Sequence, residues 1–294
     1  MPQVTVAMPI YNAEKYLESA IKNIQRQSLS DFEFIISDNA STDSTEKIVR
    51  KLAAQDSRIR YYRHSHNMGA IDNFAFVANK VNTPFVVLAA HDDRWSDNYI
   101  EALYLEARNC DESEIVVPTV VLEHENGEIY KEIRFDDRIL TMRGSEKARA
   151  LLMNATGSWF YGMYKKNALK RALNEVITYN YVWAGDLVAL TPFMLNGTVS
   201  SASAAVFYHR ETGVSRQAYR PVTFSERRDV YCAFAKMTIR SLRRSRLSTQ
   251  EKLLMLPYLV GYVGKHSCKL RRIIRTVLFP KSAERAASRK LTIR

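Results

Sequence analysis

The first hundred residues alternate short apolar runs with amphipathic stretches. Val4–Pro9 is almost uniformly apolar, as suits a buried strand. Leu17, Ala20, Ile21 and Ile24 then recur at i, i+3, i+4 and i+7, which predicts a helix with Asn12 placed to cap it. Phe32–Ser37 reads as a second strand, Ser44–Leu52 as a helix and Arg58–Tyr62 as a third strand. Asn67-Met68-Gly69 makes a turn, and Phe74, Val77, Ala78 and Val81 mark another helical stripe. Thr83-Pro84 ends that stripe before a fourth strand, Phe85–Ala89. Strands separated by helices imply parallel pairing through right-handed crossovers. Open sheets of this kind take ligands beyond the carboxyl ends of their strands.

Past Asp93 the pattern loosens. Asn98–Arg108 is helical in period, Glu114–Leu122 is strand-like, and Asn126-Gly127 is a hairpin signal. Helices are expected over Ser145–Met153, Lys165–Glu175 and Asp186–Leu195. A strand over Val199–Tyr208 precedes a polar loop, His209–Ser215, and from Pro221 onward the chain is helical and basic. The expected division is therefore an α/β domain over residues 1–220 and a helical basic extension over 221–294.

Charge sharpens this division. The net charge is +12, yet residues 240–294 hold fifteen Lys and Arg against only Glu251 and Glu284. The rest of the chain is close to neutral, so the basic balance belongs to one segment and argues against a nucleic-acid footprint spread over the fold. Three widely spaced cysteines give neither a disulfide framework nor metal-ligand spacing, which favours a reducing, cytoplasmic setting. The first ten residues lack the pattern of a signal peptide, and no apolar run reaches the roughly 18 residues of a spanning helix.

Two polar sites at strand ends carry candidate chemistry. The apolar strand in PFVVLAAHDDRW, residues 84–95, runs directly into Asp92 and Asp93. Two uncompensated carboxylates cannot be buried there without a cost of several kcal/mol. They either cap the following helix or face a hard cation such as Mg²⁺ or Mn²⁺ with phosphate oxygens around it. Asp38 likewise ends a strand, followed by the short polar side chains of Asn39, Ser41, Thr42 and Asp43. It either closes an Asx-turn or accepts hydrogen bonds from a base or ribose.

Together these segments resemble glycosyltransferase family 2, the inverting transferases with the GT-A fold. The resemblance rests on VTVAMPIYNAEKYLESAIKNIQRQ (4–27), IISDNASTDST (35–45), RIRYYRHSHNMGAIDNF (58–74), PFVVLAAHDD (84–93), WAGD (183–186) and FYHRETGVS (207–215). It covers residues 3–220 and implies a nucleotide-sugar-binding domain, its central, mostly parallel sheet flanked by helices. It also implies a metal-dependent transfer from a nucleotide-diphosphate donor, UDP-type first, to a hydroxyl of a glycan or lipid-linked acceptor in surface polysaccharide synthesis. By resemblance, Pro9, Tyr11, Asn12, Glu14, Asp38 and Asp92 line the nucleotide pocket. Asp93 binds Mn²⁺ or Mg²⁺, with His209 completing the metal site. Arg210 and Arg216 meet the diphosphate, and Asp186 is the catalytic base, though it also suits the N-cap of the helix after it. Trp95, Trp159, Tyr161 and Trp183 are aromatic candidates for the acceptor side. The chain departs from the family pattern at Ala90, where a first aspartate often stands, and at Gly185, where a glutamate often precedes Asp186. Those departures motivate the rival reading, a catalytically inactive nucleotide-sugar or membrane-binding protein of the same fold.

In the basic extension Leu270, Ile273, Ile274, Val277 and Leu278 form a helical stripe among Lys265, Lys269, Arg271, Arg272 and Arg275. That is the profile of an interfacial helix on an anionic membrane, and equally of a helix packed on the body with a solvated basic face. Under the first of these readings residues 265–294 place a cytoplasmic protein peripherally at the inner face of the cell membrane; under either, no nucleic-acid partner is expected.

Overall fold

The computed structural model describes residues 2–212 and 218–267. The chain forms two compact units. The first comprises Met1–Leu140, Ser158–Asn174 and Thr198–Glu211; the second comprises Thr141–Gly157, Glu175–Gly197 and the chain from Thr212.

The first unit is built on one nine-stranded sheet in the order β3-β2-β1-β4-β8-β6-β9-β5, with β7 added to β6. Strands β1 (Val4–Ile10), β2 (Phe32–Asp38), β3 (Ile59–Arg63) and β4 (Phe85–Leu88) are parallel and joined by α1 (Glu14–Gln25), α2 (Thr45–Ala53) and α3 (Ala70–Lys80). Every residue of β2 and all but one of β1 are buried, which is why both read as continuous runs instead of alternating patterns. The sheet becomes mixed beyond β4. It takes in β5 (Arg94–Trp95), β6 (Ile115–His124), β7 (Ile129–Ile133), β8 (Met163–Lys165) and β9 (Val199–Glu211), with α4 (Tyr99–Asn109) packed on β9. Strands β6 and β9 pair in parallel, whereas β8, β5 and β7 pair antiparallel to their neighbours. The β6–β7 connection is the hairpin expected at Asn126-Gly127, with Gly127 at φ +85°.

The second unit is helical. After the short helix α5 (Arg138–Thr141) the chain runs through α6 (Gly144–Asn154), the 3₁₀ turn Gly157–Tyr161 and α7 (Lys166–Tyr179); α6, the end of α7 from Glu175, α8 (Gly185–Asn196), α9 (Phe224–Arg244) and α10 (Thr249–His266) belong to the second unit. Nine of the twelve residues of α8 are buried, so it serves as the unit's central helix. Around it pack α6 and α9, and α10 in turn lies on α6 and α9. Tyr262 of α10 reaches Thr191 of α8 by a 3.1 Å hydroxyl contact and Phe234 of α9 at 5.6 Å between ring centres. Helices α9 and α10 each begin with a reciprocal capping box, Thr223 with Glu226 and Ser248 with Glu251.

Several local expectations need correction. Asn12 does not cap α1. It sits at φ 46° while Ala13 holds the cap position, and its side chain is spent on another loop. Asp186 is not an N-cap either, because α8 begins one residue earlier behind Ala184 at φ 62°. Strand β9 runs on through His209, Arg210 and Glu211, which were expected in a loop. Helix α7 starts after Lys165, which belongs to β8, and continues to Tyr179.

His266 ends α10 against the Tyr262 ring, 4.9 Å away, and burial followed by the Lys265 charge lowers its pKa to about 4. A base held neutral in the fold takes up a proton on unfolding. Its contribution is complete above pH 6.5 and lost as pH falls toward 4. Urea unfolding of His266→Gln between pH 7 and pH 4.5 should therefore show a shallower loss of stability than the parent chain. Parallel pH curves for the two proteins contradict this assignment.

Candidate active site

The parallel half of the sheet ends in two interlaced loops. Asn12 Oδ1 accepts from Thr42 N at 2.9 Å, and Asn12 N donates to Ser41 Oγ at 2.9 Å. Glu14 N donates to Asp43 at 3.1 Å, while Glu14 Oε2 accepts from Ser44 N at 2.9 Å. The loop after β1 is thus locked to the loop after β2. Asn12 and Ala40 adopt left-handed conformations at φ 46° and 60°, an energetic cost that the surrounding bonds offset. Pro9 lies near the end of β1, and Tyr11 is exposed just beyond it.

Asp38 is fully buried. Oδ1 accepts from Ser41 N at 2.8 Å, and Oδ2 accepts from the Tyr61 hydroxyl at 2.7 Å with the Arg63 guanidinium 3.6 Å away. The bond to Ser41 spans three residues, one more than the expected Asx-turn, and holds Asp38 to its own loop. Asn39, one of the short polar side chains that follow Asp38, ties this loop to a third. Its Nδ2 donates to Asn67 Oδ1 at 2.8 Å and to the Gly69 carbonyl at 3.1 Å, and its Oδ1 accepts from Met68 N. Three polar loops are therefore fixed at the carboxyl ends of β1, β2 and β3.

The carboxylate pair lies in the turn from β4 to β5. Strand β5 has only two residues, but its antiparallel pairing aligns Arg94 with Tyr208 and Trp95 with Phe207. This register brings Asp93 beside the next residues of β9. Arg210 N donates to Asp93 Oδ1 at 2.8 Å, and His209 Nδ1 is 3.6 Å from Oδ2. Asp93 is 4% exposed. Burial, the largest influence, raises its pKa, with the His209 interactions opposing that rise. Asp92 is half-buried, and its carbonyl accepts from Arg210 Nη1 at 3.0 Å.

Beneath this turn lies Glu123 of β6, fully buried and unremarked in the sequence. Arg94 grips its two oxygens at 2.7 to 3.2 Å, and Arg210 Nη2 lies 3.6 Å from Oε1. Arg94 also lies flat on Tyr208, 3.6 Å from the ring centre, and Arg210 sits over Tyr16 at 4.9 Å. The Arg210 guanidinium is therefore committed to Glu123, Asp92 and Tyr16. Arg216, its expected companion, lies outside the described residues. Asp93 and Arg210 line a cleft of about 470 Å³ whose walls also include Lys22, Arg26, Arg94 and Asp97, a mixed lining of cations and carboxylates.

A divalent cation is implied by the resemblance, and the residues present fit one in part. A buried carboxylate whose charge is penalised gains most from a cation, and imidazole beside carboxylate suits Mn²⁺. Among the described residues no group of three or more His, Cys, Asp or Glu side chains could hold a metal. Asp93 and His209 therefore supply at most a two-residue set, which leaves positions for phosphate oxygens and water.

The other expected residues lie elsewhere. Asp186 is in the second unit, half-buried in the first turn of α8. A Cβ added at Gly157 would come 1.7 Å from Asp186 Oδ2, so the glycine leaves room for that carboxylate. Trp183 precedes it in a loop bounded by left-handed Asn180 and Ala184, and its indole N–H donates to the Ser267 carbonyl at 3.0 Å. In the first unit Trp95 and Trp159 are 2% and 1% exposed, packed against Phe207 and Phe135. Neither offers an open ring face. Tyr161 is half-buried and stacks on Phe207.

A parallel half-sheet with polar loops at its carboxyl ends, continued into a mixed half that anchors an aspartate pair, is the GT-A type of glycosyltransferase architecture. The chain belongs to glycosyl transferase family 2, whose model matches residues 5–177. Among solved structures it is similar to *S. aureus* TarS 1–349 in complex with UDP, at TM-score 0.65 and 17% identity over 100% of this chain and 89% of that one. It is also similar to the mannosyltransferase PcManGT of *Pyrobaculum calidifontis* in complex with GDP-Man and Mn²⁺, at TM-score 0.54 and 15% identity over 99% and 84%. Among curated relatives it is 29% identical over 177 residues to the GalNAc(5)-diNAcBac-PP-undecaprenol beta-1,3-glucosyltransferase of *Campylobacter jejuni*, which is 60% of this chain and 56% of the relative. It is 30% identical to the putative teichuronic acid biosynthesis glycosyltransferase TuaG of *Bacillus subtilis*, over 37% and 44%. The chain spans about half the length of these relatives. The expected family, fold and enzyme class, a glycosyltransferase, agree with these findings.

Glu123 holds both arginines that brace the aspartate turn, so its loss leaves two cations facing a buried space. Glu123→Ala should cost about 3 kcal/mol in urea unfolding. A loss below about 1 kcal/mol, the range of an exposed ion pair, shows that Glu123 does not brace the turn.

Proposed function

We propose that this chain is a metal-dependent inverting glycosyltransferase. It moves a sugar from a nucleotide-diphosphate donor, UDP-type first, to a hydroxyl of a glycan or lipid-linked acceptor in surface polysaccharide synthesis. The observation that carries this reading is the pairing of β5 with β9, which sets His209 and the Arg210 backbone on Asp93. The names of the relatives, a glucosyltransferase for an undecaprenol-linked acceptor and a teichuronic acid enzyme, support the acceptor class. The UDP and the Mn²⁺ in complex with the similar structures support the donor and the cation.

In this reading Pro9, Tyr11, Asn12, Glu14 and Asp38 shape the base and ribose pocket, and Asp92 faces the ribose. Asp93 and His209 hold the cation, which when bound offsets charge on the departing diphosphate. Arg210 and Arg216 serve the diphosphate, Arg210 chiefly by bracing Asp92 and Asp93. Asp186 takes the acceptor hydroxyl's proton as that oxygen bonds to the anomeric carbon and the bond to the diphosphate breaks. One displacement inverts the anomeric centre. Trp183 and Tyr161 are the better acceptor-side aromatics, since Trp95 and Trp159 are enclosed. Residues 1–220 form the transferase domain and 221–294 an extension that keeps the protein peripherally on the inner face of the cell membrane through residues 265–294.

UDP with Mn²⁺ should raise the melting temperature, and Asp93→Ala should remove the Mn²⁺-dependent part of that rise. No nucleotide response in the parent chain sinks the donor reading. Asp186→Asn should lower kcat by about 10²–10⁴-fold with nucleotide binding kept. Binding without any transfer or donor hydrolysis by the parent chain favours an inactive nucleotide-sugar-binding protein.

Gly157→Ala should act through Asp186, lowering kcat at least about tenfold with nucleotide binding unchanged. Unchanged kcat would remove Gly157 as a positioning residue.

A further inference from the structure

Helix α10 is apolar on both of its faces. Met255, Leu259, Tyr262 and Val263 are buried on the inner face against the second unit. On the outer face Leu253, Leu254, Leu256 and Val260 are 62%, 63%, 45% and 68% exposed. Leu253, Leu256, Pro257, Val260, Gly261 and Gly264 recur at i, i+3, i+4, i+7, i+8 and i+11, so they form one stripe. A Cβ built on Gly261 or Gly264 meets nothing within 4 Å, so the stripe is open along its length among the described residues. A helix apolar all round is ordinarily enclosed on all sides, and single exposed leucines are ordinary where a row of them is not.

Charge identifies what covers it. The stripe lies inside residues 240–294, the segment that holds the chain's whole positive excess. On the helix itself Lys252 and Lys265 stand at the two ends, outside the stripe, and Glu251 is drawn into the Ser248 cap and the Ser145 amide. A second copy docking through the same face would bring two such segments together against their mutual repulsion. An exposed apolar row inside a strongly basic stretch of sequence instead matches an anionic lipid surface, with acyl chains under the stripe and headgroups drawn by the basic residues. Among the described residues no helix is long and apolar enough to cross a membrane.

We propose that the outer face of α10, centred on Leu253, Leu256, Pro257 and Val260 and flanked by Leu254, is a membrane-inserting surface that seats this chain on an anionic bilayer. This deepens the peripheral-membrane part of the proposed function. It moves the apolar anchor upstream of residues 268–294, whose basic side chains supply attraction. It does not depend on the donor or acceptor assignment.

The test is co-sedimentation of the full chain with vesicles of phosphatidylcholine containing phosphatidylglycerol, beside vesicles of phosphatidylcholine alone. The parent chain should sediment with the anionic vesicles and at least tenfold less with the neutral ones. Leu254→Glu/Val260→Glu, changed at the two most exposed apolar positions of the helix, should weaken that binding at least tenfold. Its melting temperature and UDP response should match the parent chain's. Equal vesicle binding by parent and variant overturns the proposal, because the basic residues then act alone. No binding by the parent overturns it as well, as does a parent dimer in sedimentation velocity that the variant breaks. The UDP response is read on the same samples, so failure of the membrane surface is separable from failure of the transferase reading.

Discussion

The aspartate turn depends on a carboxylate that is not part of it. Glu123 is buried in β6 between Arg94 of β5 and Arg210 of β9. A charge in that position is tolerable only with partners, and both partners are residues adjoining Asp92, Asp93 and His209 in the chain or across the ladder. The two-residue strand β5 has few backbone bonds of its own to fix it. The ion cluster, together with the stacking of Arg94 on Tyr208, supplies the rigidity that its length denies. The cluster also explains how Asp93 can be buried beside another acid. Arg210 gives it a backbone N–H and places a guanidinium on the carbonyl of Asp92.

Much of this was legible in the sequence, but unevenly. The parallel strands β1, β2 and β4 announced themselves because burial on both faces makes them continuous apolar runs. Strands β5 and β8, with two and three residues, are too short to carry any period, and β7 is almost wholly exposed. These are the elements that assemble the aspartate turn or continue the sheet around it. Asp92, Asp93 and His209 could be named from order and residue type, but their meeting could not, because it is set by a β5–β9 register across more than a hundred residues. Glu123 was invisible for a related reason. It ends an apolar strand in an alternating stretch, Leu122-Glu123-His124, where a glutamate ordinarily faces solvent.

Left-handed residues mark the same regions. Among the described residues four non-glycine residues have positive φ, and three of them, Asn12, Ala40 and Ala184, stand within two residues of Asp38 or Asp186, or in the loop bonded to Asp38's own. Asn tolerates this conformation, whereas alanine does so only when its surroundings impose it. That is why the capping expectations failed at Asn12 and Asp186. Both positions look like helix starts by residue type, yet in each case the chain enters the helix from a strained turn that already fixes the backbone. The Asn12 side chain bonds Thr42 instead, while the Asp186 carboxylate accepts from Leu187 N at 2.8 Å within the first turn and occupies the space that Gly157 leaves.

The distribution of charge fits the same division of labour. A body that is close to neutral apart from residues 240–294 has little reason to gather on polyanions through its own surface. Attraction and apolar exposure fall in one segment, and a cationic stretch without the α10 stripe would hold any polyanion with equal ease. An apolar stripe without the cations would instead invite self-association. The two together select a surface that is both anionic and oily. Because the capping box at Ser248 and Glu251 and the bond from Glu251 to Ser145 fix the start of α10, the stripe is presented by a rigid element of the second unit. Its leucines are therefore ordered before any partner arrives, so less conformational entropy is lost on docking than an unstructured tail of the same composition would lose.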